Sequence, residues 1–470
     1  MSIIVNGREY ASEKNAQIAL TRNNTRKRRE TQVCKVYDLK IDMSKLNQKQ
    51  EEALEGTFLE AKWIYNAALN TEKPTKYVPG KTVEVKNRDG DFETRNLQYI
   101  GSQIKQSVIT GIGSSLSSLK AKKEKGYKVG KLKFKRRVKS VDLKQHGTTY
   151  SLFPENEKIR VQGVPGKMKV YGLHQIPEHA ELANAKLIQK TSGYYLKITT
   201  YLPQDDDSLV DDYVPGTVEG IDMGVATHIT LSNGVKISTT VIEPPRLKRL
   251  QRKLDRQYKR AEKLQKSQGL NYLPFSQNYY DTLEELRKEY EKLDNKKDDL
   301  AKQIVSVIMN NEIVFFQDEM ITSWKKWFGR QLHHSVLGRV KALLKSHTRT
   351  VMIPQSEPTT QWCRDCEQKT KHDLKERVYT CQYCDYSDDR DVHSANNMIW
   401  FGQSVLNDNN VPMERRELTP VLADQYSKLI PLGCTVKYTE RVLDLGELES
   451  RTLGIPPSTK QETHPTLVGG

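Results

Sequence analysis

The 470-residue sequence has no apolar run approaching the roughly 20 residues that a bilayer-spanning helix needs. Its opening, MSIIVNGREY, turns polar too soon for a secretory leader, so the expectation is a soluble, cytoplasmic protein with no membrane partner. Cysteine is scarce. Of six, four form two Cys-x-x-Cys pairs and two, Cys34 and Cys434, stand alone, which argues against a secreted disulfide framework. Hydrophobic residues make up only 36%, low for a compact enzyme, so folded cores must coexist with polar, partner-facing segments. No internal repeat is found.

What the chain has in excess is positive charge. Lys and Arg number 75 against 59 Asp and Glu, giving a formal net charge of +16 and a pI near 9.3. The large partner such a balance favours is a polyanion, nucleic acid above all. The length suggests about three domains.

Along the chain, residues 1–32 contain RNNTRKRR without hydrophobic periodicity and read as a flexible basic arm. Within residues 33–46, CKVYDLKI from Cys34 to Ile41 has a partial alternation that predicts a strand. Over 47–126 the pattern turns helical: Leu54, Phe58, Ala61, Tyr65 and Ala68 recur on one face, and a second helix is expected over Leu97 to Lys123. Residues 127–210, including KVGKLKFKRRVKSVDLK and AKLIQKTSGYYLKITTYL, read as β structure that completes a barrel begun by the early strand. The acidic linker PQDDDSLVDDYVPG then marks a boundary. Residues 211–357 open on two apolar segments around Asn233-Gly234, a type I′ hairpin signal. Two long helices follow, with stripes at Leu247, Leu250, Leu254, Tyr258 and Ala261 and at Leu283, Leu286, Tyr290, Leu293, Leu300, Ile304 and Ile308. EIVFFQDEMI reads as a buried strand ending in acids. Residues 358–388 hold the cysteine pairs, 389–405 a final segment, and 406–470 a mostly mobile tail.

Cys363, Cys366, Cys381 and Cys384 have the spacing by which two tight turns complete a tetrahedral Zn²⁺ site. Four protein ligands leave no open position, so this ion serves structure and the chemistry lies elsewhere. Three acids sit at the ends of predicted elements: Asp222, Glu319 and Asp391, with Asp318 and Asp389 as near alternatives that alternation does not separate. Only tertiary folding could unite them. Two carboxylates held ~4 Å apart repel by about 4 kcal/mol at an effective dielectric near 20, so such a cluster requires divalent cations. Oxygen ligands suit two Mg²⁺ ions, which can activate water and stabilise a departing phosphodiester oxygen. Glycines 220 and 224 flank Asp222 and leave room for backbone to approach a bulky ligand.

Taken in order, GIDMGVATHITLSNG, VFFQDEMITSW, the four-cysteine module and DRDVHSANNMI resemble the split RuvC nuclease of transposon-encoded TnpB proteins and compact type V CRISPR effectors. GKLKFKRR resembles their β-barrel segment. The resemblance spans roughly residues 33 to 403 and implies an α+β multidomain fold: a β-barrel wedge domain with a helical recognition insertion, then an RNase H-like RuvC α/β domain carrying a zinc ribbon. It further implies a catalytic triad of Asp222, Glu319 and Asp391, favouring Glu319 over Asp318. Implied partners are a guide RNA, a target double-stranded DNA beside a short recognised motif, and a second copy of the chain as a candidate. The implied activity is RNA-guided DNA cleavage. One departure stands out: His393-Ser394-Ala395 replaces the usual Asn-Ala-Ala, and reads as a tolerated substitution. Lys133, Lys135, Arg136 and Arg137, with Arg246, Lys248, Arg249, Arg252 and Lys253, are expected to track phosphates. The competing readings are a guide-dependent repressor that binds without cutting, and a guide-independent nucleic-acid-binding accessory protein.

Overall fold

The structure is a computed structural model and describes residues 3–5, 8–10, 12–87, 91–204, 206, 213–373, 376–408 and 424–439. The chain divides into two compact units, residues 1–210 and 211–470.

The first unit opens with a short antiparallel pair, β1 (Ile3–Val5) and β2 (Arg8–Tyr10), and then α1 (Glu13–Glu30). The expected flexible arm is therefore helical from residue 13. Ser12 caps α1 by accepting the Asn15 N–H, and Arg28 and Arg29 each donate two hydrogen bonds to the Glu181 carboxylate. Apolar periodicity could not reveal a helix whose only buried residue is Ala16. Charge, not an apolar stripe, holds it.

Next come β3 (Gln32–Ile41), α2 (Gln48–Leu69), the hairpin β4 (Thr82–Lys86) and β5 (Phe92–Asn96), and α3 (Ser102–Glu124). Asn47 and Gln50 form a reciprocal capping box at the start of α2. The five residues of the predicted α2 stripe, Leu54 to Ala68, are all buried. Buried Glu60 accepts backbone N–H groups from Gln98, Tyr99 and Ile100, tying α2 to the start of α3.

Strands β6 (Ser140–Leu143), β7 (Tyr150–Phe153), β8 (Lys158–Val161), β9 (Met168–Tyr171), β10 (Glu181–Lys190) and β11 (Gly193–Pro203) follow. With β3 they form an antiparallel sheet in the order β6-β10-β11-β3-β9-β8-β7, nearly closed as a barrel. As expected, the early strand completes it: Leu39 of β3 lies opposite Leu196 of β11. The basic stretch from Lys131 to Arg137, expected as β structure, lies outside the sheet. Asn66 of α2 exchanges two hydrogen bonds with the Lys135 backbone and so satisfies groups a strand partner would have taken.

The second unit is built on β12 (Val214–Met223), β13 (Ile229–Leu231), β14 (Val235–Thr239), the helices α4 (Pro245–Gln268) and α5 (Gln277–Ile308), β15 (Asn311–Gln317), α6 (Ile321–His333), α7 (Leu337–Ser346) and β16 (Thr350–Ile353). A small antiparallel pair, β17 (Val378–Thr380) and β18 (Ser387–Asp389), leads into α8 (Arg390–Asp408). After it come α9 (Asp424–Ser427) and β19 (Cys434–Tyr438).

The main sheet runs β16-β15-β12-β13-β14-β19, with β16, β15 and β12 parallel and the rest antiparallel. Strand alternation splits β12 between two layers. Ile221 and Met223 join the core formed with α4, α5 and α7, while Gly220 turns to α8 on the other face. A Cβ at Gly220 would lie 1.9 Å from the Ala395 carbonyl oxygen, and one at Gly402 2.0 Å from the Phe315 ring. The helix therefore sits directly on the strands. Gly224 meets the Thr227 carbonyl, so both glycines around Asp222 serve packing within the chain, not the approach of a ligand.

The predicted hairpin is present, but its turn is not type I′. Gly234 has φ +89 and donates to Leu231 O, whereas Asn233 is not among the positive-φ residues. In α4 and α5 the stripes are buried except at Leu254 and Leu283, which are half-buried, and at Tyr258 and Tyr290, which are exposed. Part of the expected mobile tail is structured: β19 pairs with β14 and Tyr426 is fully buried. Residues 409–423 and 440–470 of that tail lie outside the described residues. No described helix is long and apolar enough to cross a membrane.

Candidate active site and metal centre

Asp222 lies at the C-terminal end of β12, and Glu319 two residues past the end of β15, its parallel neighbour. Asp391 occupies the first turn of α8, the helix laid against that sheet. Chain segments 97 and 72 residues apart in sequence thus bring their acids to one end of the unit.

Burial and the negative charge of Asp391 push the Asp222 carboxyl up to about 7, with Glu319 adding to the repulsion. Ser394 opposes this: its hydroxyl donates to Asp222 Oδ1 at 3.0 Å. Burial also raises Glu319, against the pull of the Lys341 ammonium. Asp391 is 17% exposed and has Lys236 Nζ 3.9 Å away. Asp391 and Glu319 thus both oppose the ionisation of Asp222. The three acids are less tightly drawn together than the cysteine sulfurs below. An all-oxygen donor set whose charges repel in a half-buried pocket fits a hard divalent cation such as Mg²⁺.

The neighbouring acids have other partners. Asp318 pairs with Lys341 at 2.6 Å and Lys345 at 3.8 Å, and the Lys341 hydrogen bond holds its carboxyl below the usual range. Asp389 caps α8, its Oδ1 accepting the N–H groups of Asp391 and Val392, both at 3.1 Å, while its Oδ2 meets Lys236 Nζ at 2.7 Å. The repulsion at Asp222 comes chiefly from Asp391, with a smaller part from Glu319. Geometry separates what alternation could not.

Ser394 was missed as a functional residue, being read as a tolerated substitution. The usable signal was helical spacing: Ser394 lies three residues after Asp391, on the same face of α8. His393 points elsewhere. Fully buried, it stacks on Tyr379 at 3.7 Å, with Asn397 Nδ2 3.0 Å from its Nε2. Burial lowers its imidazole to about 4. It therefore ties α8 to the cysteine module and does not face phosphate. Asn397 extends the tie, donating to the carbonyls of Thr359 and Trp362 at 2.7 Å each.

The four cysteines converge as their spacing predicts. Cys363 and Cys384 sulfurs are 3.7 Å apart, Cys366 and Cys381 3.5 Å, and all four lie within 4.8 Å of one another. Tetrahedral zinc with Zn–S near 2.3 Å requires sulfurs about 3.8 Å apart, so the residues fit Zn²⁺. Among the described residues, Tyr379 and Tyr386 are the aromatic members of the hydrophobic cluster around the four sulfurs, too small a core to hold 358–389 without a cross-link.

The predicted phosphate-contacting residues are exposed in each unit: Lys133, Lys135, Arg136 and Arg137 in the first, and Arg246, Lys248, Arg249, Arg252 and Lys253 along α4 in the second. Two are engaged within their own unit. Lys135 Nζ lies 4.0 Å from the Tyr65 ring centroid, and Arg246 reaches Glu285 and Glu289 of α5 at 3.5 and 3.8 Å.

Residues 339–398 match the family model described as Cas12f1-like, TNB domain. That stretch takes in most of α7, β16, the cysteine module and the first half of α8. The chain is 25% identical over 385 residues to InsQ of Escherichia coli (strain K12), which carries the provisional name RNA-guided DNA endonuclease; the match covers 73% of this chain and 87% of that protein. A solved Cas12f1–sgRNA–target DNA complex aligns with 78% of this chain and 99% of its own at 12% identity and a TM-score of 0.38, too loose a likeness to build on.

Proposed function

We propose that this member of the TnpB-like and compact type V effector family is an RNA-guided DNA endonuclease that hydrolyses phosphodiesters in a RuvC site formed by Asp222, Glu319 and Asp391. The observation that carries the reading is the raised Asp222 carboxyl at the end of β12, lifted to about 7 by its burial and by the negative charges of Asp391 at the start of α8 and Glu319 past the end of β15. Two Mg²⁺ ions held there would supply an activated water and neutralise the leaving oxygen. The mixed sheet with α8 on one face and α4, α5 and α7 on the other fits an RNase H-like core, with the site at the carboxyl ends of parallel strands.

The chain's own groups then have separable tasks. Asp222, Glu319 and Asp391 would ligate the cations. Ser394 holds Asp222 in one orientation and favours its ionised form. Lys341 occupies Asp318 and keeps that acid from competing. One structural Zn²⁺ would fix the ribbon, and His393 and Asn397 join the ribbon to the helix that carries Asp391. In this reading the guide RNA reads sequence by pairing, while the basic residues of the barrel unit and α4 contact phosphates and the protein reads a short motif beside the target.

The test is cleavage of plasmid carrying the guide-matched target by guide-loaded protein, with and without Mg²⁺. Asp222→Ala, Glu319→Ala and Asp391→Ala should each abolish products while leaving guide-dependent binding intact. Equal products from wild type and Asp222→Ala would overturn the catalytic assignment. Guide-dependent binding without cleavage by wild type would establish the repressor reading.

A further inference from the structure

Outside the acidic pocket and the ribbon, one further group of metal-ligating side chains comes together among the described residues. Glu243 lies between β14 and α4, and His333 and His334 lie at the C-terminal end of α6; one ligand atom from each is within 4.8 Å of the other two. Glu243 Oε1 stands 4.0 Å from His333 Nδ1. Backbone holds the two segments together: Val241 N–H donates to His334 O at 2.9 Å, and Val336 N–H to Thr239 Oγ1 at 3.2 Å. The arrangement does not depend on side-chain rotamers alone.

Two features ask for a ligand. His334 Nδ1 is buried without a hydrogen-bond partner, and a buried imidazole nitrogen is seldom left unmatched. The Glu243 carboxylate is only 16% exposed and faces the His333 ring. We infer that Glu243, His333 and His334 form a second zinc site, in which two imidazoles and a carboxylate supply three ligands and solvent the fourth. This donor set suits Zn²⁺ in open, four-coordinate geometry. His333 is 62% exposed, so the ion enters from solvent. Lys297, which donates to His333 O at 2.9 Å and interacts with Glu243, opposes a cation and makes this site weaker than the four-thiolate one. Occupied, it clamps the end of α6 to the segment leading into α4. That helix begins two residues after Glu319, so the clamp steadies the element that leaves the acidic pocket.

The experiment uses the full chain freed of nucleic acid, in an Asp222→Ala background that weakens cation binding in the acidic pocket. Zinc is counted by equilibrium dialysis, and Co²⁺ is titrated as a spectroscopic probe. The parent should bind one zinc equivalent beyond the ribbon, and Glu243→Gln and His333→Ala should each lose that equivalent. The thiolate-to-cobalt absorption of the ribbon should keep its full intensity in both variants, which certifies their folding. His333 is exposed, so its truncation leaves the core packed and carries the test should Glu243→Gln fold poorly. Unchanged zinc stoichiometry in His333→Ala, or cobalt binding that ends with the thiolate band, would overturn the site.

Discussion

Asp222→Asn should stabilise the second unit and silence it at the same time. The Asp222 carboxyl rises from its ordinary 3.8 to about 7 because burial and the Asp391 charge disfavour its ionised form. An acid whose folded value lies above its unfolded value binds protons more tightly in the folded state. Its penalty is therefore absent below pH ~4, grows as pH rises, and is complete above pH ~7. At 1.36 kcal/mol per pH unit, three units correspond to about 4 kcal/mol as an upper bound. Asparagine carries no charge, still accepts the Ser394 hydrogen bond through its carbonyl oxygen, and presents an amide to the neighbouring carboxylates. The variant's advantage should widen by about 2 kcal/mol between pH 5 and pH 8, roughly 4–8 °C in the unfolding midpoint of a unit this size. The assay is thermal unfolding of both proteins in EDTA, repeated with Mg²⁺, which should favour wild type and narrow the gap. A variant less stable than wild type at pH 8, or a gap that ignores pH, would refute the electrostatic account.

Four further outcomes follow from the same geometry. Ser394→Ala removes a donor that favours ionised Asp222, so the pH–activity profile should shift to higher pH, with a several-fold loss near pH 7 that recovers by pH 9; an unmoved profile would remove Ser394 from the site. Gly220→Ala places a methyl group 1.9 Å from the Ala395 carbonyl and should destabilise by about 3 kcal/mol or more in thermal unfolding, with cleavage lost as α8 lifts. Truncation after Asp408 strips Tyr426, Leu429 and β19 from the core and bares the edge of β14, so light scattering should report aggregation and the melting midpoint should fall. A strong chelator should expose residues 358–389 to protease while the barrel of the first unit stays protected; equal protection with and without chelator would mean the ribbon core stands without metal.

The parts of the fold that were legible in the sequence are those whose signal is local. The α2 stripe from Leu54 to Ala68 is buried as its spacing predicts, because a helix face repeats every three to four residues whatever it packs against. The early strand shows in the sequence over Cys34 to Ile41 and the long hairpin over Ala185 to Leu202, as alternating or clustered apolar residues, and the cysteine cluster shows as paired knuckles. Signals broke down where a partner far along the chain decides the outcome. Helix α1 hangs on Glu181, some 150 residues away, and has almost no apolar face to read. Lys131 to Arg137 alternates like a strand, yet Asn66 takes its backbone and no sheet partner does. The Asn233-Gly234 pair marked the hairpin but not its turn type, which rests on the backbone angle at Asn233.

By itself the sequence determined which residues could carry chemistry: a four-thiolate set, a short list of acids at element ends, and a surplus of Lys and Arg. Selection among them came only with the tertiary structure. Asp318 and Glu319 are adjacent and chemically alike, and the α7 lysines claim one and leave the other facing Asp222. Asp389 and Asp391 share a helix start, and capping geometry consumes the first. Glu243 and the two histidines meet because Val241 N–H donates to His334 O and Val336 N–H to Thr239 Oγ1, joining segments some 90 residues apart. The physical reason is range. Periodicity and spacing report on a few neighbouring residues, whereas coulombic repulsion and metal ligation depend on distances that exist only once the chain has folded.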